Sequence, residues 1–155
     1  MKKINFKILI ACLVFVYLIA FIGSLFTFSN TDSEWYLNNK SSITPPNYVF
    51  PIVWNILFLL IAFSLYFAWI NSNKKQKRKV AWIFGTNLAL NALWSFLFFA
   101  LKQPLLAFVD LLFILATIIW MIYVVYPIDK KAGWLLVPYL AWVMFAGVLN
   151  WLWLG

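Results

Sequence analysis

The chain has 155 residues, 66% of them apolar and only 10% charged, with a formal charge of +8. So few charges exclude a water-soluble globule, and the length is largely consumed by apolar stretches of roughly 20 residues, each enough to cross about 30 Å of hydrocarbon. Histidine is absent and Cys12 is the lone cysteine, which removes the commonest general base, the usual axial ligand of haem iron, any disulfide framework and any cysteine-based metal site.

In chain order, Met1 to Lys7 is basic and precedes an apolar run, as in a signal peptide. The run reaches about Phe28 and lacks a small-residue cleavage site, so residues 6–28 read as a retained first span. The one sizeable segment outside the apolar runs, 29–46, carries Asp32, Glu34, Trp35, Tyr36, Lys40 and the pair Pro45-Pro46. That pair forbids helix just before it and suits a helix start just after it. Further spans are predicted at about 47–71, 79–101, 104–127 and 132–154, giving an all-α integral membrane bundle of five helices in one domain, residues 1–155.

The cations serve as topology signals and do not imply a nucleic-acid groove. Lys2, Lys3, Lys7, the run Lys74, Lys75, Lys77, Arg78, Lys79, and Lys130 and Lys131 fall on one side of the spans, against Lys40 and Lys102 on the other. This asymmetry assigns the N-terminus to the cytoplasm and the 29–46 loop to the outer face of a bacterial-type cell membrane. No span contains GxxxG, although Ala11, Ala20, Gly23, Gly85, Ala89 and Ala92 could support helix contacts.

Polar groups within spans are expensive in lipid and therefore mark candidate sites. Asn87, Asn91, Trp94, Ser95 and Phe98 recur at helical spacing and share one face of the third span, which must look into the bundle. At about 1.5 Å rise per residue, Trp54 and Trp94 lie roughly 10 Å below the outer surface, and Asn91 and Trp142 roughly 15–18 Å below it. Trp69, Trp82, Trp134, Trp151 and Trp153 fall near span ends, where belt residues are expected; Trp54, Trp94 and Trp142 are too deep for that role. In the fifth span Pro138, Trp142, Ala146, Leu149 and Trp153 follow helical spacing, so Ala146 leaves room beside the Trp142 ring. Indoles and an amide at one level suit a flat, apolar, weakly polar ligand, with the Trp35-Tyr36 loop placed to close over it. Asp110, the single acid at membrane depth, is expected to pair with Lys102 or with an interhelical amide.

Trp35-Tyr36, Pro45-Pro46, Pro51 to Trp54, Asn91 to Phe99, Val109 to Leu112 and the segment Leu136 to Asn150 occur in order along the chain. Together they resemble the tryptophan-rich sensory protein, or translocator protein, family. The resemblance implies a five-helix bundle, often a homodimer, embedded among membrane lipids and binding porphyrin or haem-like tetrapyrroles. It implies Tyr36, Pro45, Trp54, Asn91, Trp94, Trp142 and Ala146 as ligand-binding residues, with no cofactor and no bound metal. Light-driven porphyrin breakdown would be attributed to Trp54 and Trp142, and transport of lipophilic molecules is a further alternative. The animal sterol motif needs a Tyr followed by a basic residue where this chain has Trp151 and then ends at Gly155, so tight sterol binding there is not expected.

Overall fold

A computed structural model describes residues 4–155. Lys2 and Lys3, counted above in the charge asymmetry, lie outside the described residues. Among those residues the chain is mostly helical and has no strand: α1 (Phe6–Phe28), α2 (Glu34–Asn39), α3 (Val49–Asn71), α4 (Lys74–Ser95) running on into a π-helical turn (Phe96–Ala100), α5 (Pro104–Val125), α6 (Lys130–Leu135) and α7 (Val137–Leu152). Five stretches are long and apolar enough to cross a membrane: α1, α3, α4 with its π turn, α5, and α6 with α7.

Local chemistry sets the helix ends. The Asn5 carboxamide accepts from the Ile8 amide and opens α1, and Ser33 accepts from Tyr36 N to open α2, with Glu34 in its first turn facing the positive end of the helix dipole. The third span starts at Lys74, earlier than the expected 79. A reciprocal capping box between Asn73 and Gln76, with both bonds at 2.9 Å, nucleates helix ahead of the basic run. The lysines therefore ride on helix while their heads reach toward water, and Lys77 sits over the Trp69 ring at 5.7 Å. Lys102 takes a left-handed φ of 51° to turn the chain into α5, where Pro104 occupies the first turn. The fifth span is broken at Leu136 because Pro138 has no N–H for the Trp134 carbonyl. The 29–46 segment, expected as a loop, holds the short helix α2.

Packing divides the bundle into two halves. At the end bearing the basic run, α3 packs closely on α6, and the Ser64 hydroxyl donates to the Ala132 carbonyl at 2.7 Å. Tyr66 Oη accepts from the Asn5 amide at 3.0 Å, and Asn71 donates to Asp129 at 2.9 Å. At the α2 end α3 makes little contact with α7, while α1 lies against α4, with Gly23 beside the Ala92 backbone. The bundle is thus tight at one end and parted at the other.

Two glycines differ in the room around them. A Cβ at Gly133 would stand 2.7 Å from Tyr126 Cδ2 and 3.2 Å from its Cα, whereas one at Gly85 would meet nothing within 4 Å. Gly133→Ala is expected to lower stability by ~1–3 kcal/mol through overpacking, while Gly85→Ala, measured on the monomer, should be neutral or stabilising by up to ~1 kcal/mol from helix propensity. Thermal unfolding in detergent checks both, and the two variants should shift the midpoint in opposite directions or one not at all.

Candidate functional site

Where α3 and α7 part, a cavity of about 710 Å³ opens between the α2-end halves of α1, α3, α4 and α7. That volume is of the size that holds organic ligands. Trp54, Asn91, Trp94, Trp142 and Ala146 line it, and Tyr36 lies at its α2 end. Pro45 is not among the lining residues; its neighbours Thr44 and Asn47 are.

The floor is a polar junction between α4, α5 and α7. The Tyr139 hydroxyl, wholly buried, donates to Asn87 Oδ1 at 2.9 Å and accepts from Asn91 Nδ2 at 3.3 Å. Asn87 Nδ2 in turn donates to Thr117 Oγ1 at 2.8 Å. Lipid supplies no partner for these groups, so satisfying one another holds the three helices in register. Asn87 is therefore structural, while Asn91, one turn nearer the α2 end, faces the cavity.

The walls are indoles with different degrees of constraint. Trp94 donates its Nε1–H to Asn150 Oδ1 at 3.0 Å and stacks on Phe98 with centroids 4.9 Å apart. Asn150 passes the constraint on by donating to the Pro104 carbonyl at 3.0 Å. Trp54 stacks on Phe58 at 5.4 Å and meets the edge of Tyr139 at 6.2 Å. Trp142 leans on Phe50 and Phe145 at 6.0 and 5.5 Å, and its buried Nε1 has no hydrogen-bond partner.

The end of the cavity is capped by α2. Tyr36 stacks on Trp153 at 5.5 Å and packs at a tilt on Phe99 at 5.7 Å, while Trp35 packs on Trp153 at 5.0 Å and Phe98 at 5.6 Å. Lys40 and Lys102 lie over the Tyr36 and Trp35 rings, each at 5.8 Å, in cation–π geometry. This aromatic cap sits on the π turn of α4, where the wider helical turn carries Phe98 and Phe99. Asp32 is the one charged side chain on the described lining.

Three expectations change. Trp153 is no belt residue: it is half-buried, lines the cavity and anchors the cap, whereas Trp82, Trp134 and Trp151 do lie exposed on the bundle surface. Asp110 and Lys102 do not pair as expected, since Lys102 turns to Trp35 and Asp110 Oδ2 is buried without a hydrogen-bond partner. Tyr139, Thr117 and Asn150 were missed. Tyr139, Val143, Gly147 and Asn150 form a buried stripe at helical spacing on α7 that could have exposed Tyr139 and Asn150, whereas Thr117 lies on α5.

Burial raises the Tyr36 hydroxyl above its ordinary pKa. A raised folded value means the cap is fully held below the ordinary tyrosine pKa of about 10 and loosens as pH rises through the folded value. The cap of the native protein should therefore protect α2 amides from exchange at pH 8 and lose that protection at strongly alkaline pH. Tyr36→Phe should keep protection at both, as hydrogen exchange of α2 peptides would show.

Residues 11–154 match the family model described as the TspO/MBR family. The chain is 40% identical to the tryptophan-rich protein TspO of Archaeoglobus fulgidus over 148 residues, covering 94% of each. It is 34% identical to the tryptophan-rich sensory protein of Cereibacter sphaeroides, covering 76% of this chain and 73% of that one. It is 32% identical to the human translocator protein, covering 84% of this chain and 78% of that one.

Proposed function

This chain belongs to the TspO/MBR family of membrane proteins, and on that premise we propose that it binds porphyrin or haem-type tetrapyrroles in the cavity beneath α2, in tetrapyrrole sensing, regulation or handling. The observation that carries the reading is the convergence of Trp54, Trp94 and Trp142, from three helices, on one hollow of about 710 Å³. Flat conjugated rings bury large apolar area against indoles and stack in defined geometries. Trp94 is fixed through Asn150, so one wall is set in place before a ligand arrives. The macrocycle lies between the rings, and its carboxylates extend toward the α2 rim, where Lys40 and Lys102 sit. With no histidine in the chain, recognition rests on the ring and not on imidazole ligation of iron.

The α2 end faces outward and the basic end lies in the cytoplasm. The chain acts as a homodimer through α4, where Ala81, Gly85 and Ala89 form a shallow groove in which two backbones can approach closely.

Protoporphyrin should quench tryptophan fluorescence saturably. Trp54→Ala and Trp142→Ala should each weaken binding by about 10-fold or more, ~1.4 kcal/mol, because each removes a stacking surface. Unchanged affinity in both variants would remove the site.

A second reading, light-driven breakdown of the bound porphyrin with dioxygen as oxidant, is favoured by Trp54 and Trp142 lining the same hollow, where each ring can exchange an electron with an excited macrocycle. Its sign is loss of the Soret band under illumination in the native protein, absent in both alanine variants and in a denatured control.

A further inference from the structure

The cavity is covered by α2 but is not closed on its flank. Tyr36 at the cap keeps only 6% of its surface exposed, yet Phe21 and Phe28 of α1 line the same cavity while 61% and 89% exposed. A side chain can do both only where the wall of the hollow is interrupted. Ser24 of α1 and Pro51 and Asn55 of α3 share this property, so the interruption lies between these two helices.

Two hydrogen bonds frame the gap. On the basic-end side the Tyr17 hydroxyl donates to the Asn55 carbonyl at 2.9 Å and ties α1 to α3. On the α2 side Asn47 Nδ2 donates to the Thr31 carbonyl at 3.3 Å and ties the two chain segments beyond the helix ends. Asn47 and Asn55 are eight residues apart, so the opening is about 12 Å tall by helical rise. The polar character of its sides is a second observation. Ser24 and Asn55 are exposed at a depth where hydrocarbon gives no hydrogen-bond partner. Each donates to a carbonyl of its own helix, at 2.7 Å to Phe21 and 2.8 Å to Pro51, which makes them tolerable at the lipid boundary. Polar side chains at that level suit the margin of a passage better than a sealed lipid-facing surface.

We infer that ligand enters and leaves the cavity sideways, from the leaflet on the α2 side, through a window between α1 and α3 bounded by the Tyr17–Asn55 and Asn47–Thr31 hydrogen bonds. The inference rests on reading the cavity as a ligand site. It restricts the ligand to molecules that partition into the bilayer and can pass the gap edge-on. The stacked cap of Tyr36, Trp35 and Trp153 stays closed during exchange, which leaves the cation–π contacts of Lys40 and Lys102 undisturbed.

The test uses the full chain with Cys12→Ala and Ser24→Cys, purified in mild detergent, and a bulky maleimide that caps position 24. Protoporphyrin uptake and release are followed by tryptophan quenching. Capping the empty protein should slow uptake about 10-fold, and capping the loaded protein should slow release by a similar factor, because the cap obstructs the window margin and leaves the indole walls of Trp54, Trp94 and Trp142 unaltered. Unaltered rates in the capped protein would overturn the window, and so would expulsion of porphyrin on capping, which would make position 24 part of the bound-ligand contact. Failure of protoporphyrin to bind the uncapped protein would instead refute the tetrapyrrole reading. The same capping series with 1-pyrenemethanol, a flat lipophile without carboxylates, then decides the window on the same rate criteria.

Discussion

Hydrocarbon offers no hydrogen-bond partner, and the whole architecture turns on how one buried cluster meets that constraint. Asn87, Asn91, Thr117 and Tyr139 satisfy one another across α4, α5 and α7. A group left unpaired there would be costly, so the helices are fixed in register at this level. On the basic-end side of the junction, small residues and interhelical hydrogen bonds draw α3 onto α6. On the other side α3 and α7 diverge, and the space between them is the cavity.

The same economy organises the walls. Trp94 cannot swing, because its N–H is committed to Asn150, and Asn150 is committed to the start of α5. A chain of polar contacts therefore holds an apolar surface in position. Trp54 and Trp142 are set by ring packing alone, so they have more freedom to adjust to what enters. The cap relies on stacking and on two lysines laid over rings, interactions worth about 0.5–1 kcal/mol each at exposed positions, so many weak contacts close the end without a rigid plug.

The fold was legible because span-length apolar runs are strong signals in a membrane chain. The inward face of α4 was readable for a similar reason: amides at helical spacing cannot face lipid, so Asn91 and Trp94 had to look inward. Depth separated Trp54 and Trp142 from belt tryptophans, but it misled at Trp153, since a residue near a span end can equally pack beneath a covering helix. What stayed hidden depends on contacts between distant segments. Nothing local to Asn150 says that it receives the Trp94 N–H from a residue 56 positions away. The start of α4 was misplaced because a lysine run looks like a loop until the Asn73–Gln76 capping box is weighed. Asp110 was expected to seek a cation, yet Lys102 reaches an aromatic ring at the surface instead.

With ten tryptophans in the chain, indole N–H resonances in a two-dimensional nitrogen–proton spectrum, assigned by single substitutions, test the ligand cavity most directly. Titration with protoporphyrin should move the signals of Trp54, Trp94, Trp142 and Trp153 and leave those of the lipid-facing Trp82, Trp134 and Trp151 in place. Movement confined to the lipid-facing set, with the four cavity signals unmoved, would contradict it.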